Sequence, residues 1–213
     1  MSLCWGLSLI MNSVTDLTTI KYYDDNAERF LSSTANAEMS RQLIWFLDRV
    51  PEGVHILDWG CGSGRDSRSM LDAGYAVKAI DASDAMCAAA SELTGLDVRH
   101  ETFTELRAVN EFDGIWANAS LLHVSSDELS NVLDIAARAL KPSGILYASF
   151  KLGDFEGYRN GRWFTFMDED HLACVLEDVP ALQLLETMVT GDVREERTGE
   201  LWLNCMMRKA ADE

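Results

Sequence analysis

Three glycines at alternate positions, Gly60, Gly62 and Gly64, follow the carboxylate of Asp58 in the run Ile56-Leu57-Asp58-Trp59-Gly60-Cys61-Gly62-Ser63-Gly64. Glycine has no Cβ, so such a run can turn sharply and bring bare backbone against a ligand. A second carboxylate, Asp81, closes the next apolar run. An acid there can accept hydrogen bonds from both hydroxyls of a ribose. A glycine loop with an acid one strand later is the pattern of a nucleoside-cofactor site. The spacing is G-x-G-x-G, not the G-x-G-x-x-G of dinucleotide sites, and that speaks against a NAD-dependent oxidoreductase.

Those residues need a sheet edge to hold them. Val54 to Leu57 is a short apolar run ending at Asp58, which reads as a buried strand. Arg65 to Ala73 reads as a helix closing on Gly74, Tyr75 to Ile80 as a second strand, and Ser83 to Leu93 as a helix capped by Ser83. Leu96 to His100 and Phe112 to Ala117 follow as strands three and four. Ser125 or Ser126 caps a helix with the apolar stripe Leu129, Val132, Leu133, Ala136, Ala137 and Leu140. Lys141-Pro142-Ser143-Gly144 ends it, and Ile145 to Lys151 is a fifth strand. This alternation predicts an α/β fold with a parallel sheet and helices on both faces, ligands sitting at the carboxyl ends of the strands. A further helix is predicted over 36–50, ahead of the first strand. Residues 152–166 read as a loop, and Asp168 to Asp178 as a helix. Leu182 to Thr190 and Leu201 to Arg208 read as an antiparallel hairpin. Residues 1–18 are set aside as an N-terminal tail without a signal-peptide pattern, and 19–210 form one domain.

The segment Ile56 to Gly64, with D-x-G-C-G-x-G intact, resembles motif I of class I S-adenosylmethionine-dependent methyltransferases, small-molecule branch. Phe112-Asp113-Gly114-Ile115-Trp116-Ala117 resembles that family's fourth strand, and Leu121-Leu122-His123-Val124 the segment after it. Ala139 to Leu146 resembles the approach to its fifth strand, with Ser143 where glycine is usual. More narrowly, residues 145–208 resemble bacterial tellurite-resistance-related methyltransferases. The resemblance implies a Rossmann-like, seven-stranded, mostly parallel sheet of order 3-2-1-4-5-7-6 with strand 7 antiparallel, and S-adenosyl-L-methionine as cofactor. By the same resemblance Asp58 serves the methionine amino group, Gly60, Cys61, Gly62 and Gly64 form the backbone cradle, and Asp81 binds ribose. Cys61 is there a small residue, not a nucleophile. Ala82, Ser83 and Met86 flank the adenosine, Thr102 and Phe103 lie at the adenine edge, and Asn118 and Ala119 line the methionine portion. Tyr22 or Tyr23 covers the sulfonium, or is only a surface aromatic. His123 is a candidate general base, or a helix-entry histidine satisfied by backbone. Arg159, Arg162 and Trp163 are candidates for an acidic or aromatic acceptor, or anchors of their loop.

The net charge of −17 disfavours nucleic acid and anionic membranes, since phosphate binding needs positive charge. With 47% apolar residues the chain can build a sizeable core, and no run is long and apolar enough for a membrane helix. The odd count of five cysteines, without C-x-x-C spacing, argues against a disulfide framework and for a reducing, cytoplasmic setting. The four histidines are scattered, so no metal site is expected. The expected function is methyl transfer to a small molecule. A non-catalytic protein that keeps the pocket is the alternative; the charge disfavours a tRNA acceptor and leaves a basic peptide open. The acceptor itself stays open, because many chemistries share one scaffold. Nothing in the sequence sets the oligomeric state.

Overall fold

Ile56 and Leu57 point to opposite faces of the sheet, and each is buried in a different hydrophobic core. They belong to β1 (His55–Trp59), which pairs in parallel with β2 (Ala76–Asp81) and β4 (Phe112–Ala117). A computed structural model describes residues 16–34, 40–193, 197 and 199–211. In chain order the other elements are α1 (Leu17–Asp25), α2 (Ala27–Thr34), α3 (Ser40–Leu47), α4 (Arg65–Asp72), α5 (Asp84–Thr94), β3 (Arg99–His100) and α6 (Ser126–Ala139). They continue with β5 (Leu140–Lys151), β6 (Glu156–Arg159), β7 (Arg162–Thr165), α7 (Glu169–Glu177), β8 (Leu182–Gly191) and β9 (Leu201–Lys209).

The main sheet has seven strands in the order β3-β2-β1-β4-β5-β9-β8, with β9 antiparallel to both its neighbours. This is the expected order once the separate hairpin β6–β7 is counted apart. One face packs on α6, whose Leu129, Val132, Leu133 and Ala136 are fully buried. Each buried Leu or Val contributes about 1.5–3 kcal/mol by leaving water. The other face holds Phe46, Val50 and Met70 against Ile56, Trp116 and Tyr147, and the Trp116 and Tyr147 rings stack at 3.9 Å.

Several elements depart from the sequence reading. Residues 152–166 are not a loop throughout: β6 and β7 pair as a hairpin, turned by Asn160 and Gly161, both at positive φ. The third strand keeps only Arg99 and His100 of its five expected residues. The helix expected over 36–50 is α3, and its first expected residues lie outside the described ones. Asp16, Leu17 and Thr18, set aside with the tail, belong to the fold: Asp16 caps α1 by accepting from the Thr18 and Thr19 N–H groups. Cys61, Cys87 and Cys205 are free thiols, whereas Cys174 is disulfide-bonded, against the expectation of reduced cysteines throughout. No helix among the described residues is long and apolar enough to cross a membrane.

Candidate functional site

Where β1 ends, the chain must leave the sheet without blocking its rim. Gly60 makes this possible at φ +80, with its N–H donating to the Ile80 carbonyl at 2.9 Å. A Cβ on Gly60 would stand 2.5 Å from the Cβ of Ser120 in the loop after β4, so two strand-end loops meet through bare backbone. Ser120 is held there by its hydroxyl, which donates to the Trp59 carbonyl at 2.7 Å. Beside this contact opens a cavity of ≈ 240 Å³ along the carboxyl ends of β1, β2, β4 and β5.

Asp81 ends β2 and faces that cavity. One carboxylate oxygen accepts from the Gly62 N–H at 2.8 Å and the other from the Ser83 N–H at 2.9 Å. Burial pushes its pKa up, and these backbone donors pull it back. Each oxygen keeps a second lone pair for a ligand hydroxyl. Ser83 also caps α5 by accepting from the Met86 N–H, and Asp24 of α1 joins the cap, accepting from the Ser83 hydroxyl at 2.6 Å and the Ala85 N–H at 3.2 Å.

Asp58 is buried at the end of β1 and accepts from the Ser67 hydroxyl at 2.6 Å. Burial, and next the charge of Asp66, push its pKa up to about 8. Asp66 is the residue that sequence reasoning missed here. It looks like an ordinary acid in the first turn of a helix, yet it is buried and accepts from Trp116 Nε1 and Asn118 Nδ2, both at 3.0 Å, and from Arg65 Nε at 2.8 Å. The Asn118 oxygen in turn accepts from the Ser149 hydroxyl at 2.9 Å, and that hydroxyl accepts from the Ala119 N–H at 2.8 Å. Ala119, at φ +52, sits in a conformation that alanine rarely adopts, held by this network. Glu101, also missed, lines the cavity next to Phe103 and keeps a buried oxygen with no hydrogen-bond partner.

The far half of the cavity is built by α1, β7 and the ends of β5 and β9. His123 Nδ1 lies 2.6 Å from the Trp163 carbonyl, so it carries the proton, and Nε2 accepts from the Tyr23 hydroxyl at 2.9 Å. Arg162 Nη1 donates to the same Tyr23 oxygen at 3.3 Å. Burial lowers the His123 pKa to about 4, so the imidazole is neutral. Burial also raises the Tyr23 pKa, opposed by the charge of Arg162. Lys151, Phe164, Arg197 and Trp202 complete this wall.

Asp58, Gly60, Cys61, Gly62, Asp81, Ala82, Ser83, Met86, Phe103, Asn118 and Ala119 thus line one cavity with Tyr23, His123 and Arg162. Burial raises the Cys61 thiol far above its usual range, which keeps it protonated. The other candidates lie elsewhere. Gly64 packs against Ala90 of α5. Thr102 caps a short turn with Glu105. Tyr22 lies under the Arg162 guanidinium at 4.6 Å. Arg159 stacks on Phe155 at 4.3 Å and on Phe166 at 5.2 Å, outside the cavity. Trp163 is buried, its backbone N–H donating to Thr19 and its indole N–H to Thr165, so it fastens the hairpin and does not face a ligand.

Residues 56–144 match a family model described as a methyltransferase domain. The solved 1,6-didemethyltoxoflavin-N1-methyltransferase of Burkholderia thailandensis superposes with a TM-score of 0.70 at 24% identity, over 90% of this chain and 85% of that one. The chain has the class I S-adenosylmethionine-dependent methyltransferase fold. Within that fold the cavity lies at the rim formed by the strand ends. Two curated relatives align over shorter stretches. An uncharacterized methyltransferase of Staphylococcus carnosus is 31% identical over 49% of this chain and 50% of its own length. The ubiquinone biosynthesis O-methyltransferase of Caulobacter vibrioides is 34% identical over 47% of this chain and 42% of its own. The chain therefore spans half or less of the length of these methyltransferases.

Proposed function

We propose that this chain transfers the methyl group of S-adenosylmethionine to a small-molecule acceptor by in-line displacement. The observation that carries the reading is Asp81, fixed by the Gly62 and Ser83 N–H groups at the edge of the cavity with lone pairs left for ribose hydroxyls. The S-adenosylhomocysteine in the toxoflavin enzyme's structure supports the same cofactor, and the relatives' names support methyl transfer. The donor set fits it. Asp58 offers a carboxylate to an ammonium group, and Glu101 offers its unpartnered buried oxygen to an exocyclic amine. When bound, this cofactor supplies a methyl carbon on a positively charged sulfur.

The chain's own contribution is placement and exclusion of water. Tyr23, His123 and Arg162 form a hydrogen-bonded wall opposite the glycine loop. His123 is a poor base there. Moving a proton from a group of pKa ~10 to one of pKa about 4 is uphill by ~8 kcal/mol. In our reading Tyr23 and His123 orient the acceptor, and no proton step is assigned to them. The narrower kinship with tellurite-resistance-related methyltransferases rests on Phe150-Lys151-Leu152-Gly153 and Trp202-Leu203-Asn204, and it brings no acceptor with it. Cytoplasmic placement belongs to the same proposal: the free thiols of Cys61, Cys87 and Cys205 support a reducing compartment, and the disulfide-bonded Cys174 speaks against it.

The test is calorimetric titration with S-adenosylmethionine and S-adenosylhomocysteine. Binding is expected, and Asp81→Ala is expected to weaken it at least tenfold. Unchanged affinity in that variant overturns the site.

A further inference from the structure

The cavity divides by charge. Asp58, Asp66, Asp81 and Glu101 gather on the glycine-loop side with Arg65, and Lys151, Arg162 and Arg197 lie on the other with Asp192, in a chain of net charge −17. Of the four lysines and arginines among the described residues that line it, three already face a carboxylate. Arg65 pairs with Asp66 at 2.8 Å, Lys151 pairs with Glu200, and Arg197 Nη1 lies 3.7 Å from Glu200. Lys151 is in addition boxed by the rings of Phe164, Phe166 and Trp202. Arg162 has no such partner: among the described residues no carboxylate lies within ion-pair reach of its guanidinium. Among the described residues its one side-chain hydrogen bond is the 3.3 Å contact to the Tyr23 hydroxyl, and its buried Nε has no acceptor.

Such an arrangement is costly to leave as it is. A guanidinium taken partly out of water needs an anion or a full set of acceptors. Here the rings of Tyr22, Phe164 and Tyr23, at 4.6, 5.0 and 5.6 Å, replace much of its water but accept none of its hydrogen bonds at the Nε edge. The planar fork of arginine matches a carboxylate in two parallel hydrogen bonds. Phe164 and the neutral imidazole of His123 lie against each other, ring centroids 5.0 Å apart, and offer an apolar surface beside that fork. Resting on the methyltransferase reading above, we infer that the methyl acceptor is a small aromatic carboxylic acid, bound as its anion with the carboxylate on Arg162 and the ring between Phe164 and Tyr23. In that reading a carboxylate oxygen forms the new bond to the methyl carbon as the carbon–sulfur bond breaks and its electron pair leaves on sulfur, so no proton has to move.

Benzoate and its neutral isostere benzamide are the probes, titrated at pH 7.5 into the whole protein with and without S-adenosylhomocysteine. Benzoate is expected to bind at least tenfold tighter than benzamide. Arg162→Met should bring the ratio below about threefold, Arg162→Lys should keep part of it, and Arg159→Met, away from the cavity lining, should leave it intact. Equal binding of the two probes, no benzoate binding at millimolar concentration, or full preference in Arg162→Met overturns the inference. Tighter binding of inorganic phosphate than of benzoate overturns the carboxylate in favour of a phosphoryl group. Absence of S-adenosylhomocysteine binding, with benzoate preference intact, would instead strike the methyltransferase reading. A thermal melt of each variant shows whether it is folded.

Discussion

Replacing Gly60 by alanine separates two costs that the loop geometry keeps apart. The first is backbone strain. At φ +80 an L-residue loses about 1–2 kcal/mol relative to glycine. The second is collision, since the new Cβ would lie 2.5 Å from the Cβ of Ser120, which is itself buried and tied to the Trp59 carbonyl. Forcing a methyl into such a packed contact costs about 1–3 kcal/mol. Gly74 is the control. Its φ is +89, so its strain is alike, but a Cβ there meets nothing within 4 Å. Glycine-to-alanine changes also stiffen the unfolded chain, and that gain is shared by both variants. Gly60→Ala should therefore be less stable than Gly74→Ala by about 1–3 kcal/mol, or ~2–12 °C in Tm for a domain of this size. Urea unfolding at constant slope, with a parallel thermal melt, measures the difference. A gap below ~0.5 kcal/mol would refute the collision and with it the close approach of the two loops.

Two pH effects follow from the buried titrating groups. Asp58, with its folded pKa raised to about 8, is protonated in the free protein at pH 7. A cationic amino group beside it favours the carboxylate, so S-adenosylmethionine binding at pH 7 should release up to one proton. Titrations in phosphate and in Tris should then differ in apparent enthalpy, and Asp58→Asn should abolish the difference. His123 runs the other way. Its folded pKa of about 4 lies below the ordinary value near 6.5, so its stabilising share is present above pH ~6.5 and is lost as pH falls toward 4. That loss is about 2–3 kcal/mol, and His123→Gln should lose correspondingly less stability between pH 7 and pH 4 in urea titrations. An equal acid loss in both proteins would show that His123 is not held neutral by the fold.

The parts of this molecule that could be read in the sequence are those whose physics is local. Ser83 announces its helix because an N-cap side chain acts on an N–H three residues away, whereas Ser125 holds the N-cap place of α6 without a side-chain cap bond. The glycine spacing and Asp81 show a cofactor rim because backbone freedom and strand length fix them together. The hairpin β6–β7 was legible too: Asn160-Gly161 is a strong hairpin turn signal that composition obscured. Asp66, Glu101 and Asp24 were not legible. Nothing near them in the chain says that one will be buried under Trp116, another left with a bare oxygen, and the third placed on a helix far along the sequence. The choice among the arginines was equally hidden, because Arg159 and Arg162 face each other as a cross-strand pair and only the rings that each one meets tell them apart.

The bond from Asp24 to the start of α5 ties two jobs to one clasp. The helix that carries Tyr23 to the cavity is fastened to the helix that follows Asp81. If α1 moves outward, the start of α5 loses the Asp24 acceptor and keeps only the cap that Ser83 makes to the Met86 N–H. One aspartate thus sets Tyr23 and the turn behind Asp81 in a single hydrogen-bonded unit, and displacing either strains the same two bonds.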